Sequence, residues 1–307
     1  MALILMTLTS LWALLAGVRL GQTASSRSQQ IIQILVMAAY SAYFLFVWNR
    51  PLLSLYLPHT ALIVLTNWHP VMGCFFAGMY LSTNRICRRR RLAVAATILL
   101  LSGYSIAAPV LGHAPACEPT ASGSPLITQT TPYTCSPAAA ASLLRLHGIA
   151  ATESQMADLC LTRQGTHWMG VYRGLTLMTR NTNWDVVAEP FSRAAVMRLD
   201  ESPALLSVNI DTDLITTRED HGFRDGAGHS VLTLGARDGL QVMVFDPSPS
   251  YGIEYWDRRL LSWVSNGVIL RLVSRSGSGH EIAVRERISA AAQQHNRFVS
   301  VNWDPPM

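Results

Sequence analysis

The stretch Gln129-Thr130-Thr131-Pro132-Tyr133-Thr134-Cys135-Ser136-Pro137 stands directly ahead of an apolar run from Ala138 to Gly148. This run predicts a helix from about Pro137 to His147, because proline in the first turn of a helix costs no hydrogen bond. Cys135 is therefore expected at a helix N-terminus, where free backbone N–H groups and the helix dipole favour a thiolate. Thiolate is the nucleophilic form of cysteine, so the stretch predicts a reactive thiol.

Gln129 lies six residues before Cys135, close enough for its side-chain amide to return to the thiol. That amide and the Cys135 backbone N–H could together hold an oxyanion. Taken alone, however, a cysteine ahead of an alanine-rich helix is more often a small buried hydrophobic residue. The function of the stretch thus depends on what the later part of the chain brings beside it.

Composition separates the chain into two parts. Half of its 307 residues are hydrophobic, which is high for a soluble protein and indicates a membrane portion. The net charge of +5 comes from the N-terminal third, because eight arginines precede the first acidic residue, Glu118. The remaining sixteen arginines stand against nineteen acidic residues, a balance that gives no indication of nucleic-acid binding.

Four apolar segments predict an all-α transmembrane region at residues 1–112, since a spanning helix needs about 20 apolar residues. The segments cover residues 2–18, 31–48, 59–81 and 92–111. His59, Asn67 and His69 interrupt the third segment, and they either mark a polar pathway or cap a broken helix at the interface. The first segment could also be a signal peptide, although it lacks a charged start and a small-residue cleavage site.

Arginines indicate how these segments are oriented. Arg85 and the run Arg88–Arg91 lie between the third and fourth segments, and Arg19 and Arg27 flank the loop between the first two. Cytoplasmic loops collect such charges, and with four spans both basic loops fall on the same side. Everything after about residue 113 is then expected on the extracytoplasmic side of a bacterial cytoplasmic membrane.

The hydrophobic period changes along the rest of the chain, after a linker at residues 113–128. Helical patterns come first: a capping box at Thr152 and Gln155 opens a second helix, and a third is expected from about Met169 to Met178. Strand patterns follow. They cover residues 204–210, 229–236, 240–245 and 268–273.

Helices followed by an antiparallel sheet indicate an α+β domain at residues 129–275. A polar tail covers residues 276–307, and within it Ile282–Gln294 predicts an exposed helix.

The pair Asp238-Gly239 between two strand patterns is a strong hairpin signal. In a hairpin turning there, paired residues have numbers that sum to roughly 477. His229 begins the first strand and Asp246 ends the second, so both are expected at the same end of the hairpin. An aspartate there can accept from one imidazole nitrogen while the other nitrogen faces a thiol, as nucleophilic catalysis requires.

These elements resemble the papain-like cysteine peptidases of the bacteriocin-processing, double-glycine leader peptidase family and its stand-alone relatives. The resemblance covers about residues 125–275 and lies in the order and spacing of a few short motifs. They are Gln129, the Cys-x-Pro-Ala-Ala start at Cys135, the segment Gly228-His229-Ser230-Val231, and the pair Asp246-Pro247.

The resemblance implies a papain-like fold, a peptide or protein substrate and no cofactor or metal. It implies that Cys135 is the nucleophile and that His229 is the general base. Asp246 would orient His229, and Gln129 would line the oxyanion hole.

Two features depart from the family pattern. Ser136 follows the cysteine where the family usually has glycine, which leaves less room for a substrate backbone. Transporter members join a cytoplasmic peptidase domain to an exporter and its ATPase, whereas this chain has no lysine and no phosphate-binding loop. Cleavage coupled to export therefore does not carry over, no ATP partner is expected, and the interpretation is a stand-alone membrane-anchored peptidase.

Other interpretations stay open at this point. A domain of this fold could bind peptides as a sensor without cleaving them, or it could transfer an acyl group to an acceptor other than water. His221 and His229, near Asp225, could instead hold a metal, although their loop is glycine-rich. Finally, an oxidising compartment permits disulfides, and a Cys117–Cys160 bond would leave Cys135 free.

Overall fold

A computed structural model represents the 307-residue chain. It describes residues 1–48, 50–57, 59–82, 87–119, 123–192, 194–195, 198–200, 202–210, 228–236, 241–258, 261, 264–275 and 283–293. The chain divides into two compact units, Met1–Leu111 and Gly112–Met307.

The first unit is built from apolar helices. They are α1 (Ala2–Thr23), α2 (Ser26–Phe46), α3 (Leu62–Leu65), α4 (His69–Ser82) and α5 (Arg88–Ala107). Within the described part of the chain, four segments are long and apolar enough to cross a membrane. These are Ala2–Thr23, Ser26–Phe46, Leu62–Ser82 and Arg88–Val110.

The third of these segments is a broken helix, because α3 ends after about one turn and α4 begins at His69. Asn67 lies in the break and donates from Nδ2 to the Ser105 carbonyl oxygen at 2.8 Å. The Tyr43 hydroxyl of α2 donates to the Thr66 carbonyl oxygen at 2.7 Å. The Thr66 carbonyl oxygen and the Asn67 side chain at the break are thus paired by neighbouring helices.

α1 and α4 pack closely through small residues. A Cβ added at Gly17 would collide with the Phe75 carbonyl oxygen, and one added at Gly78 would collide with the Leu14 carbonyl oxygen. Lipid tails are as apolar as leucine, so spanning helices associate through such close backbone packing rather than through the hydrophobic effect. Gly17 and Gly78 therefore allow a close approach of α1 and α4.

The second unit is a mixed helix and antiparallel-sheet domain, so the predicted α+β class is confirmed. Its first helices are α6 (Cys135–Leu146), α7 (Glu153–Leu159) and α8 (Trp168–Thr179), and α9 covers 283–293. The described strands are β1 (Trp184–Pro190), β2 (Ala204–Ile210), β3 (His229–Ala236), β4 (Gln241–Asp246), β5 (Gly252–Asp257) and β6 (Val264–Ser274). They form one sheet in the order β1-β6-β2-β3-β4-β5, and each neighbouring pair is antiparallel.

The central strands are buried on both faces, which is why their sequences run apolar instead of alternating cleanly. Two rows of directly opposed side chains cross β6, β2 and β3, and all their members are buried. The rows are Leu270–Leu205–Leu232 and Ile269–Leu206–Val231. Successive side chains point to opposite faces, so each row covers one face. α6 packs against β2, β3 and β4 and so covers one face of the sheet.

α6 begins at Cys135, two residues earlier than predicted. The first N–H groups of a helix have no intrahelical acceptor, so Pro137 fits the third position without losing a hydrogen bond. The bond from the Ala138 N–H to the Thr134 carbonyl oxygen, 3.0 Å long, closes the first turn. Ala138–Ala141 are 0% exposed, which means that this part of the helix is enclosed on every side.

The sequence pattern predicts neither β1 nor β5, and these are the two edge strands of the sheet. An edge strand has fewer neighbours, so fewer of its positions need an apolar side chain. Trp184 is the buried residue of β1 and Trp256 that of β5, and the rest of each strand is partly or fully exposed. Their sequences therefore lack the apolar pattern that identifies β2, β3 and β4.

The predicted Cys117–Cys160 disulfide is wrong, because all five cysteines are free thiols. Cys160 is 1% exposed, and its Sγ occupies the space where a Cβ on Gly174 would lie. Cys117 is partly exposed on the linker, and its Sγ donates to the Pro115 carbonyl oxygen at 3.5 Å. The Cys160 sulfur serves as a buried apolar group between α7 and α8, whereas the Cys117 sulfur lies on the linker.

We expect Gly78→Ala to lower the thermal unfolding midpoint of the full chain purified in detergent. The added methyl group would overlap the α1 backbone, and overpacking of this kind costs about 1–3 kcal/mol. Gly103→Ala in α5 is the matched control, because a Cβ there meets nothing within 4 Å. It should leave the midpoint unchanged or raise it, since alanine favours helix. Equal midpoints for the two variants would contradict close packing of α1 on α4.

Candidate active site

β3 and β4 bring His229 and Asp246 to the same end of neighbouring strands. The opposed pairs Leu232–Phe245 and Thr233–Val244 have numbers that sum to 477, so the predicted register of the hairpin is confirmed. An irregularity between Thr233 and Gly235 shifts the pairs beyond it by one residue. The predicted turn residues, Asp238-Gly239, lie outside the described residues.

His229 and Asp246 are directly hydrogen-bonded, with 2.9 Å between His229 Nε2 and Asp246 Oδ2. Asp246 is 0% exposed, and its other oxygen, Oδ1, accepts from the Ser248 N–H at 2.7 Å. Both carboxylate oxygens are therefore held in place. Because Nε2 faces the carboxylate, Nδ1 is the ring nitrogen left for a second partner.

Cys135 is that second partner. It is the first residue of α6, it is partly exposed, and it hydrogen-bonds with the His229 side chain. The Ser230 backbone N–H and the Ser136 hydroxyl are two further groups that lower the pKa of its thiol. Burial by itself would raise the pKa of the Cys135 thiol. The hydrogen bonds and the positive charge of His229 outweigh burial, so the pKa is lowered from its ordinary 9.0.

The pKa of His229 shifts in the opposite direction. Burial disfavours the imidazolium, but hydrogen bonds to Asp246 and Cys135 and the negative charges of both raise the pKa from 6.5 to about 10. With the thiol pKa lowered and the imidazole pKa raised, the shared proton resides on the ring. Both pKa shifts favour a thiolate–imidazolium pair at this site.

The loop before Cys135 is closed by a threonine turn. The Thr134 N–H and hydroxyl both donate to the Thr131 carbonyl oxygen, at 3.4 and 3.0 Å. Pro132 occupies the second position of this turn, where its fixed φ fits. The turn leads the chain directly into α6 and so fixes the direction from which Cys135 enters the helix.

Gln129 lies beside both halves of the site. Its backbone N–H donates to the Pro247 carbonyl oxygen at 2.7 Å, directly after Asp246. Its side-chain Nε2 donates to the Thr131 carbonyl oxygen at 3.0 Å, while Oε1 is buried without a hydrogen-bond partner among the described residues. The amide nitrogen carries a second hydrogen that this bond does not use. The structure thus holds the Gln129 amide on the turn that precedes the thiol.

A buried glutamate that the sequence analysis did not identify fixes the same segment. Glu153, the first residue of α7, is 0% exposed. Its two carboxylate oxygens accept from the Thr130 N–H at 2.8 Å and from the Thr130 hydroxyl at 2.9 Å. Spacing from the capping residue Thr152 places Glu153 on a helix, but only the tertiary fold brings it to residue 130.

A hydroxyl pair also joins the two halves of the site. Ser136 Oγ and Ser230 Oγ lie 2.7 Å apart, and they follow Cys135 and His229 directly in the chain. The only signal in the sequence is that Ser136 stands where the resembling family usually has glycine. Of the residues in the metal alternative, His221 and Asp225 lie outside the described residues, and His229 bonds to Asp246.

Comparison with known proteins gives limited similarity. No protein-family description matches the chain, and no curated protein matches it. The peptidase domain of Streptococcus ComA, a bi-functional ABC transporter involved in a quorum sensing pathway, matches with 18% identity and a TM-score of 0.37. The match covers 48% of this chain and 97% of that domain.

The peptidase domain of Streptococcus mutans ComA matches with 16% identity and a TM-score of 0.30, over 48% of this chain and 98% of that domain. Neither comparison establishes a family for this chain.

We expect iodoacetamide to alkylate Cys135 at pH values well below 9, because His229 keeps its proton up to about pH 10 and so stabilises the thiolate. In His229→Ala the rate should rise only near the ordinary thiol pKa of 9.0. At pH 6 the wild-type rate should exceed that of the variant by at least about tenfold. Mass spectrometry of the Cys135 peptide measures both rates.

The exposed thiol of Cys87 serves as the internal reference in every sample. Superimposable pH profiles for Cys135 in the wild type and in His229→Ala would contradict the thiolate–imidazolium pair.

Proposed function

We propose that this protein is a membrane-anchored, papain-like cysteine peptidase that hydrolyses peptide bonds with Cys135, His229 and Asp246. One observation carries the proposal: a single imidazole is bonded on one side to a buried carboxylate, at 2.9 Å, and on the other to a helix N-terminal thiol. Nucleophile, base and orienting group in this order form the arrangement that thiol and hydroxyl catalysts require. The resemblance of the sequence motifs to papain-like peptidases supports the same roles.

In the first half of the reaction, the Cys135 thiolate attacks the carbonyl carbon of the scissile peptide bond. A C–S bond forms, and the carbonyl π electrons move to oxygen and produce an oxyanion. As the C–N bond breaks, the His229 imidazolium gives its proton to the leaving amine. The products of this half are a free amine and a thioester on Cys135.

In the second half, neutral His229 takes a proton from water while the water oxygen attacks the thioester carbon. The C–S bond then breaks and returns an electron pair to sulfur, which restores the thiolate and the imidazolium. Asp246 holds Nε2 throughout and stabilises the positive ring. The net reaction adds one water across one peptide bond.

Gln129 is proposed to stabilise the oxyanion together with the Cys135 backbone N–H. The second hydrogen of its Nε2 is the donor that this role needs, because the first already bonds to the Thr131 carbonyl oxygen at 3.0 Å. Donors held in place before the reaction cost no reorganisation when charge develops on the oxygen. Hydrogen bonds from Gln129 to Pro247 and from Thr130 to Glu153 hold this segment of the chain in place.

The proposed substrate is a peptide or protein outside the cytoplasm, and the proposed location is a bacterial cytoplasmic membrane. Four helical segments of spanning length and apolar composition support a multi-pass anchor. The distribution of arginines supports the side, since four of them open α5 at Arg88–Arg91 and are expected in the cytoplasm.

We expect Cys135→Ala to lose peptide hydrolysis by at least about a thousandfold, because it removes the atom that forms the thioester. The assay incubates the detergent-purified full chain with a mixed synthetic peptide library and detects cleaved products by mass spectrometry. Cys117→Ser is the matched control, since it exchanges another partly exposed thiol of the same unit and should keep full activity.

Three other outcomes would replace the proposal. Cleavage that survives in Cys135→Ala would reject a thiol mechanism. Peptide binding without cleavage, equal in wild type and Cys135→Ala, would favour the sensor interpretation. Products that form only when an amine acceptor is added would favour acyl transfer, because water would then fail to resolve the thioester.

We expect a membrane-impermeant maleimide to label Cys117 but not Cys87 in intact bacterial spheroplasts. The two thiols flank α5 in the chain, so a spanning α5 separates them, and neither is buried. Peptide mass spectrometry reads both sites in one sample, and permeabilised cells supply the positive control for Cys87. Label on Cys87 alone in intact spheroplasts would reverse the proposed orientation.

A further inference from the structure

Two buried serines connect the helix that carries the thiol to the strand that carries the imidazole. Ser136 Oγ and Ser230 Oγ lie 2.7 Å apart, and the residues are 3% and 2% exposed. Water therefore does not compete for either hydroxyl. Beside the contacts of Cys135 with His229 and Ser230, this hydrogen bond between two buried oxygens fixes the position of α6 along β3.

Proton counting decides how these hydroxyls are arranged. Each serine has one hydroxyl proton, and the Ser136 hydroxyl is also one of the groups that lower the pKa of the Cys135 thiol. A thiolate can only accept, so the Ser136 proton points at sulfur. The Ser136 oxygen must then accept the proton of Ser230. The Ser230 backbone N–H donates to the same sulfur, so Ser230 acts on Cys135 through both its backbone and its side chain.

We propose that Ser136 and Ser230 form a serine bridge that positions the Cys135 sulfur against His229 and donates a hydrogen bond to the thiolate. This inference rests on the proposed function and deepens it, because it adds two positioning residues to the same site. When Cys135 ionises, the S–H bond breaks, an N–H bond forms on His229, and the electron pair stays on sulfur. No proton leaves the serine bridge in this step.

The serine bridge also accounts for the residue after the nucleophile. A glycine at position 136 would leave the sulfur with one donor fewer and the buried Ser230 hydroxyl without its partner. The other titratable group that hydrogen-bonds to Cys135 is His229, and Asp246 lies behind it. Because neither of these is altered by a change at position 136 or 230, substitution there isolates the contribution of the hydroxyls.

The test measures the pH profile of Cys135 alkylation by iodoacetamide in the full-length protein. Ser136→Ala should shift the profile upward by about one pH unit, the size expected when a hydrogen bond to a charged group is lost. Ser230→Ala should shift it in the same direction. Ser230 acts through Ser136, so Ser136→Ala/Ser230→Ala should shift the profile about as much as Ser136→Ala alone.

The double variant keeps the test decisive if a single substitution impairs folding. Each single change leaves one buried hydroxyl unpaired, whereas the double change removes both groups and leaves nothing unsatisfied. A purely structural pair predicts that the folded double variant has the wild-type alkylation profile, and that result would overturn the serine bridge. So would single shifts that add up in the double variant.

These outcomes are separable from failure of the proposed function. If the wild type cleaves no peptide but the serine variants show the predicted shifts, the serine bridge stands and the peptidase proposal falls. If the wild type cleaves peptides and the double variant has an unshifted profile, the peptidase proposal stands and the serine bridge falls.

Discussion

The hydrogen bond between His229 and Asp246 is the interaction on which the arrangement of the candidate site depends. A fully buried carboxylate needs compensation, and Asp246 obtains it from the imidazole at 2.9 Å and from the Ser248 N–H at 2.7 Å. The pKa shifts of His229 and Cys135 favour a positive imidazole beside a negative sulfur. Asp246, His229 and Cys135 thus favour charges of alternating sign from the sheet to the helix. Each charge lowers the free-energy cost of burying the one beside it. Removing one of the three side chains would take a compensating charge away from its neighbour.

Much of this arrangement follows from local sequence patterns. The central strands, the capping box at Thr152 and the register of the hairpin could be predicted, because each depends on apolar periodicity or on residues a few positions apart. Edge strands β1 and β5 could not, since partial exposure removes the apolar signal. The hydrogen bonds between Thr130 and Glu153 and between Ser136 and Ser230 join residues far apart in the chain, so no spacing rule predicts them. The prediction of a Cys117–Cys160 disulfide failed because an oxidising compartment permits disulfides without indicating which sulfurs lie close together.

The two units solve packing in different ways. In the first, Gly17 and Gly78 bring helix backbones together, and polar side chains such as Asn67 repair the break in the third segment. In the second, rows of leucine, valine and isoleucine cross the sheet and exclude water from both faces. Each unit has the contacts that stabilise a fold in its expected surroundings. These are close van der Waals packing in lipid and apolar burial in water.

The alanine run at the start of α6 has a consequence for how such a chain can change over evolutionary time. Ala138–Ala141 have no exposed surface, so each position accepts nothing larger than a methyl group without displacing the helix that begins at Cys135. A larger side chain at any of these positions would displace α6 and, with it, the sulfur of Cys135. The edge strands carry less of this restriction, because each has one buried residue, Trp184 in β1 and Trp256 in β5. Divergent relatives of this chain would therefore keep small residues here long after their surfaces had become unrecognisable.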